Sequence, residues 1–140
     1  MKVKLDHPRC KPEKTHHYDA GFDLKNANVP VVLNPYAEEL IHTGVYMEIP
    51  EGYVGIVVPR SSMGKAGLVL RNTVGIIDSH YRGEIMVLAK NVNTESRIEI
   101  EQFERFAQIV IVPVFLPEIE VVNELSETKR GTGGFGSTGK

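Results

Sequence analysis

Residues 105–115 read RFAQIVIVPVF. From 107 to 112 the stretch is apolar almost throughout and rich in β-branched side chains, the composition of a strand buried on both faces. Gln108 interrupts it, and a buried amide must find partners either in the core or in a site. Outward from this run lie others rich in Val and Ile, at 29–33, 45–49, 54–58, 85–89 and 119–122. Turn signals separate them at Asn34-Pro35, Pro50-Glu51-Gly52, Arg82-Gly83 and 91–94. Residues 97–101, RIEIE, alternate charged and apolar side chains, as a strand with one wet face does. Many short strands without a long helical period predict an all-β sandwich or barrel.

Two stretches resist that pattern. PYAEELIHTG (35–44) has Pro at a helix-start position followed by good helix formers, so its local preference is a helical turn. SSMGKAGL (61–68) reads as a short helix with a Ser cap and Gly67 near its end. No internal repeat is present, and only the segment from about Ser126 has a linker-like composition. Residues 1–125 are therefore expected to form one core domain and 126–140 a flexible C-terminal arm.

The 140 residues carry 16 basic and 18 acidic side chains, a net charge of -2. That balance disfavours general binding to nucleic acid or anionic membranes. MKVKLDHPRCK at the N-terminus has no apolar segment of signal-peptide type, and no apolar run has the length to span a bilayer. The single cysteine, Cys10, allows no internal disulfide and reads as a plain structural or surface thiol in a reducing compartment. A cytoplasmic location is expected, that of the host if the source is viral.

Four further stretches carry chemistry-bearing residues. GFGSTGK (134–140) matches the glycines and lysine of a phosphate-binding loop but offers neither the following hydroxyl residue nor a helix, so a nucleotide-triphosphatase of that type is not expected. What remains is a run of glycine amides able to wrap an anion, with Arg130 to pair with phosphate and Phe135 to stack on a base. PRSSMGKAG (59–67) places Arg60, Ser61 and Ser62 ahead of a helix start, where free amides and positive charge suit phosphate. NTVGIIDSHYRGEI (72–85) reads as a β-hairpin with Asp78 near its tip; Asp78 and His80, two apart, share a face on an extended strand. That pair raises a metal-hydrolase alternative, although no further His or Asp lies at ligand spacing. In YDAGFDL (18–24), Asp19 and Asp23 flank a glycine, which by itself reads as a turn carrying a structural carboxylate.

Taken together, AGFDL, PRSSMG, GIIDSHYRGEI, RFAQIVI and RGTGGFGSTG resemble the five motifs of the trimeric dUTP pyrophosphatases (dUTPases), in the order and spacing of that family. The resemblance runs from about residue 15 onward. It implies a jelly-roll-like β-sandwich assembled as a homotrimer, with three sites between subunits, each closed by the glycine-rich arm of another subunit. It also implies that 35–44 is strand and turn, against its local helix preference.

The implied reaction is hydrolysis of dUTP to dUMP and pyrophosphate with Mg2+, which keeps uracil out of DNA and supplies dUMP for thymidylate synthesis. In that reading Asp78 is the catalytic carboxylate that activates water, and Gln108 helps place the water or the α-phosphate. Arg60, Ser61 and Ser62 cradle phosphates, and Asp23 contacts the metal indirectly, through water. Asn72 and the backbone from Gly75 to Ile77 meet the uracil edge, and Tyr81 lies on the deoxyribose. Arg130, Phe135, Gly136 and Ser137 of the arm close over the substrate. The sequence departs from the family pattern at His80, where many members have an acidic or small residue, and at Ser62, where many have Gly. Two alternatives differ in chemistry: a related dCTP deaminase, which would release ammonia and lack the arm, and a protein-binding regulator that uses the nucleotide site as a switch.

Overall fold

A computed structural model describes residues 1–133. In chain order the elements are β1 (Lys2–Leu5), a 3-10 turn (Pro8–Cys10), β2 (Gly21–Lys25), β3 (Val31–Leu33), β4 (Glu38–His42), β5 (Val45–Glu48), β6 (Tyr53–Pro59), α1 (Ser61–Lys65), β7 (Leu68–Leu70), β8 (Gly75–Ile77), β9 (Met86–Asn91), β10 (Ile98–Ile100) and β11 (Arg105–Pro113). The fold is all-β, as expected, and every ladder is antiparallel. A four-stranded sheet runs β2-β11-β6-β8, a three-stranded sheet runs β4-β9-β7, and β1-β5 and β10-β3 form two-stranded ladders.

The apolar run that opened the sequence becomes β11, an interior strand between β2 and β6. Phe106, Ala107 and Ile109 on it are fully buried. The ladders place Gln108 opposite Asp23 on one side and opposite Val58 on the other. Residues 85 apart in sequence are thereby fixed side by side through backbone pairing. Leu24, Leu33, Ile41, Leu68, Ile85 and Ile100 fill the rest of the core with Phe106. The buried amides of Asn26 and Asn91 are satisfied by main-chain carbonyls: Asn26 Nδ2 donates to Val29 and Ile100, and Asn91 Nδ2 to Leu33 and Ser96. No buried side-chain polar atom among the described residues lacks a partner.

The helix preference of 35–44 is overridden. Tyr36 takes a left-handed φ of 62°, which ends any helical turn, and 38–42 extends to pair with β9. Helix propensity is worth a few tenths of a kcal/mol per residue, so a ladder that also buries Ile41 outweighs it. The short helix is present, with Gly67 at φ 93° just beyond it, but the expected Ser cap is not: Ser61 is the first helical residue and Arg60, at the N-cap, makes no side-chain cap bond.

Three further sequence expectations fail. Residues 119–122 form no strand: Ile119 and Val121 are about nine-tenths exposed, with no neighbouring strand to pair them. The stretch 72–85 is not a hairpin either. β8 pairs with β6 in one sheet while β9 pairs with β4 and β7 in the other, so the chain crosses between sheets at 78–85. YDAGFDL likewise yields a strand, β2, rather than a turn at its second aspartate.

Candidate functional site

The sequence-derived residues gather in two clefts. The first, about 280 Å³, is polar and lies where β2, β11 and the end of β6 meet; Gly21, Asp23, Arg60, Ser61 and Gln108 line it with Asp19. Asp23 is nearly buried, and each of its oxygens meets a guanidinium: Oδ1 is 2.9 Å from Arg60 Nε, and Oδ2 is 3.0 Å from Arg105 Nη1. Arg105 Nη1 also donates to Thr15 Oγ1, and Arg60 Nη1 to the Arg105 carbonyl at 3.3 Å. The guanidinium groups of Arg60 and Arg105 balance the carboxylates of Asp19 and Asp23, so the cleft carries fixed charges of both signs and no net surplus.

Arg60 occupies the N-cap position of α1 with extended backbone, and no side chain caps the helix's first amides. Ser61 lines the cleft; Ser62 is exposed on α1 and does not. Gln108 reaches Pro59 O only at 3.4 Å, so its amide is loosely held and faces the cleft. Gly21 makes room for it, because a Cβ at position 21 would overlap Gln108 Oε1 and lie 3.1 Å from Cδ.

The second cleft, about 300 Å³, opens between β8 and β9. Asn72, Gly75, Ile77, Asp78, Tyr81 and Glu84 line its polar side. Its other wall is apolar: Leu40, Ile76, Met86 and Leu88, each between 37% and 57% exposed. Gly75 allows β8 to approach β6, where an added Cβ would sit 3.0 Å from Val57 Cβ. Asp78 directly follows β8, and its carbonyl accepts from the Tyr81 amide at 3.0 Å. That turn corrects the expected pairing of Asp78 with His80: His80 faces a separate cleft with Glu48 and Arg82, because the chain is no longer extended there.

The two clefts share no lining residue. One protomer therefore groups Arg60, Ser61, Gln108 and Asp23, and separately groups Asn72, Gly75, Ile77, Asp78 and Tyr81. Arg130 lines neither; its Nε donates to Gly133 O at 2.9 Å within its own turn. Phe135, Gly136 and Ser137 lie outside the described residues. Gly21, Arg105 and Glu84 were not picked out from the sequence. Arg105 stood in a quoted stretch, but its partner Asp23 lies 82 positions away and only the sheet register unites them.

Among the described residues no group of three or more His, Cys, Asp or Glu side chains is arranged to hold a metal ion. With both its oxygens engaged by arginines, Asp23 is not set to ligate a metal ion directly. None of the described helices is long and apolar enough to cross a membrane.

The dUTPase family model matches residues 10–139. A deoxyuridine 5'-triphosphate nucleotidohydrolase of Nautilia profundicola is 51% identical over 138 residues, covering 98% of this chain and 96% of that protein. One of the same name from Escherichia phage T5 is 44% identical, covering 99% and 98%. The solved structure of the Staphylococcus bacteriophage 80alpha dUTPase with dUPNHPP superposes with a TM-score of 0.88 at 35% identity, covering 99% of this chain and 98% of that one. The chain belongs to the dUTPase family.

Proposed function

We propose that the protein hydrolyses dUTP to dUMP and pyrophosphate as a homotrimer, in sites that join the Asp78 cleft of one protomer to the Arg60 cleft of another. The observation that carries this reading is the division of the site residues: the groups suited to base and sugar converge in one cleft, those suited to phosphate in a second. A nucleoside triphosphate needs both at once. The apolar wall of Leu40, Ile76, Met86 and Leu88 beside Asp78 supports assembly, since a contiguous apolar surface of this kind favours a partner.

In the assembled site, Asn72 and the main chain of 75–77 would hydrogen-bond the uracil edge and leave no space for a 5-methyl group. Tyr81 would cover the deoxyribose. Arg60 and Ser61 would hold the outer phosphates through charge-assisted bonds and the open amides of α1, with Ser62 contributing through its backbone. Asp78 would take the proton of a water that attacks the α-phosphorus, and Gln108 would orient that water or the α-phosphate. The bond between the α-phosphorus and its bridging oxygen then breaks, and pyrophosphate leaves with the electron pair. Asp23 would meet the water shell of a substrate-borne Mg2+, which would supply positive charge to offset that building up on pyrophosphate. Residues 126–140 would act as an arm, bringing Arg130, Phe135, Gly136 and Ser137 over a site of the trimer. In a cell this activity would lower dUTP and supply dUMP.

The test is a panel of dUTP, dTTP, UTP and dCTP with Mg2+, in which pyrophosphate and ammonia are measured separately. Pyrophosphate from dUTP alone is the expected result. Ammonia from dCTP would point to the deaminase instead, and absence of turnover to a regulator that only binds nucleotide.

A further inference from the structure

We infer that Gly83 and Glu84 are positioning residues that hold the Tyr81 ring in place and so set the discrimination between deoxyribo- and ribonucleotides. The inference rests on the reading that Tyr81 faces the sugar. The crossing segment 78–85 has no strand partner of its own, yet its conformation is over-determined.

Tyr81 folds back along the chain: its hydroxyl donates to the Glu84 carbonyl at 2.9 Å. The ring passes so close to Gly83 that an added Cβ would overlap the hydroxyl oxygen, lie 2.5 Å from Cζ and 3.0 Å from Cε2. Ring carbons of a tyrosine cannot yield independently, so any side chain at 83 must rotate the whole ring away. Gly83 has no unusual φ to explain it. The requirement for glycine there is space for Tyr81.

Glu84 then pins this arrangement to the body of the protein. Its Oε1 accepts from the Gly44 amide at 2.8 Å, and its Oε2 lies 2.8 Å from His42 Nδ1. The Glu84 side chain is 14% exposed, so its carboxylate is largely shielded from water although the His42 ring is 42% exposed. Next to it, Ile85 is fully buried, donates its amide to Val45 O at 2.8 Å and accepts from Thr43 Oγ1 at 2.5 Å. On the other side, Arg82 Nη1 donates to the carbonyls of Ser79 and Tyr81 at 2.6 and 2.8 Å. The turn at 42–45 thus fixes Glu84, whose carbonyl fixes the Tyr81 hydroxyl, while Gly83 leaves the ring its path. Shape selection against one hydroxyl needs such a wall, because a ring free to tilt would admit the larger sugar.

The experiment compares Gly83→Ala, Glu84→Ala and Glu84→Gln, each in the native sequence and in a Tyr81→Ala background. The readouts are kcat and KM for dUTP and for UTP, with thermal unfolding of each variant. Tyr81→Ala should lose most of the preference for dUTP. Gly83→Ala and Glu84→Ala should each lower that preference about tenfold, and Glu84→Gln, which keeps an acceptor for Gly44, about threefold. In the Tyr81→Ala background the same changes should have no further effect on the preference, a result that general loss of structure would not give. A folded Gly83→Ala or Glu84→Gln enzyme with undiminished preference would overturn the positioning role. So would an equal effect in the Tyr81→Ala background. If Tyr81→Ala itself kept the preference, the sugar-facing reading beneath the inference would be the part that fails.

Discussion

Asp23 holds Arg60 by a 2.9 Å contact between Oδ1 and Nε, and the same carboxylate takes Arg105 on its other oxygen at 3.0 Å. Asp23 is largely buried, whereas Arg105 is 43% exposed, so water weakens the second contact more than the first. Replacing Asp23 by Asn removes the charge that orders both guanidinium groups. Stability should fall by about 1–2 kcal/mol, discounted for the exposure of Arg105, as read from urea unfolding. The KM for dUTP should rise about tenfold, since Arg60 would no longer be pre-aligned for phosphate. An unchanged KM would contradict that role.

Gly21 is expected to matter more for rate than for stability. It sits on β2 opposite Val110, and the Gln108 amide occupies the space a side chain at 21 would take. Gly21→Ala should displace that amide and reduce kcat by about 10–100-fold. The thermal midpoint should move by only a few degrees, because the amide can swing into the open cleft. Wild-type kcat in this variant would rule out a role for the present Gln108 position.

Cys10 is fully buried, and desolvation pushes its thiol pKa up, partly offset by its hydrogen bond with the His7 backbone. The neutral thiol is thereby favoured in the folded state. The associated stabilisation is present below the ordinary thiol range and is lost as pH rises through the raised value. Thiol reagents at neutral pH should label Cys10 at the rate of unfolding, not at the rate of an exposed cysteine, as mass spectrometry over time would show. Rapid labelling of the folded protein would contradict this packing.

Removal of divalent ions should separate activity from folding. No described cluster of carboxylates, histidines or cysteines depends on a metal. A chelator should therefore abolish dUTP turnover while leaving the thermal midpoint unchanged within about 1 °C, and Mg2+ should restore activity. A large drop in midpoint would reveal a structural metal.

Much of this was legible in local sequence. The apolar run at 107–112 announced an interior strand, and Gly67 after SSMGKA announced the end of a short helix. The motif set named Asp78, Asn72 and Tyr81, which share one cleft, and Arg60, Ser61 and Gln108, which share the other, but the division into two clefts was visible only in the fold. What failed depended on partners distant in sequence. Residues 119–122 have strand composition but no strand partner among the described residues, and 72–85 has hairpin punctuation but its halves pair in different sheets. Arg105 and Glu84 were hidden for the same reason, since each acts through residues more than 40 positions away.

The most direct measurement mixes two inactive variants, Asp78→Asn and Arg60→Ala, by unfolding them together and refolding in equal amounts. A site that takes its Asp78 cleft from one protomer and its Arg60 cleft from another is intact with probability one-half times one-half. The mixture should therefore recover about a quarter of wild-type dUTP hydrolysis, although neither variant is active alone. If the refolded mixture forms trimers yet shows no more activity than the sum of its two components, the proposal that Asp78 acts on a triphosphate held by a neighbouring protomer is wrong.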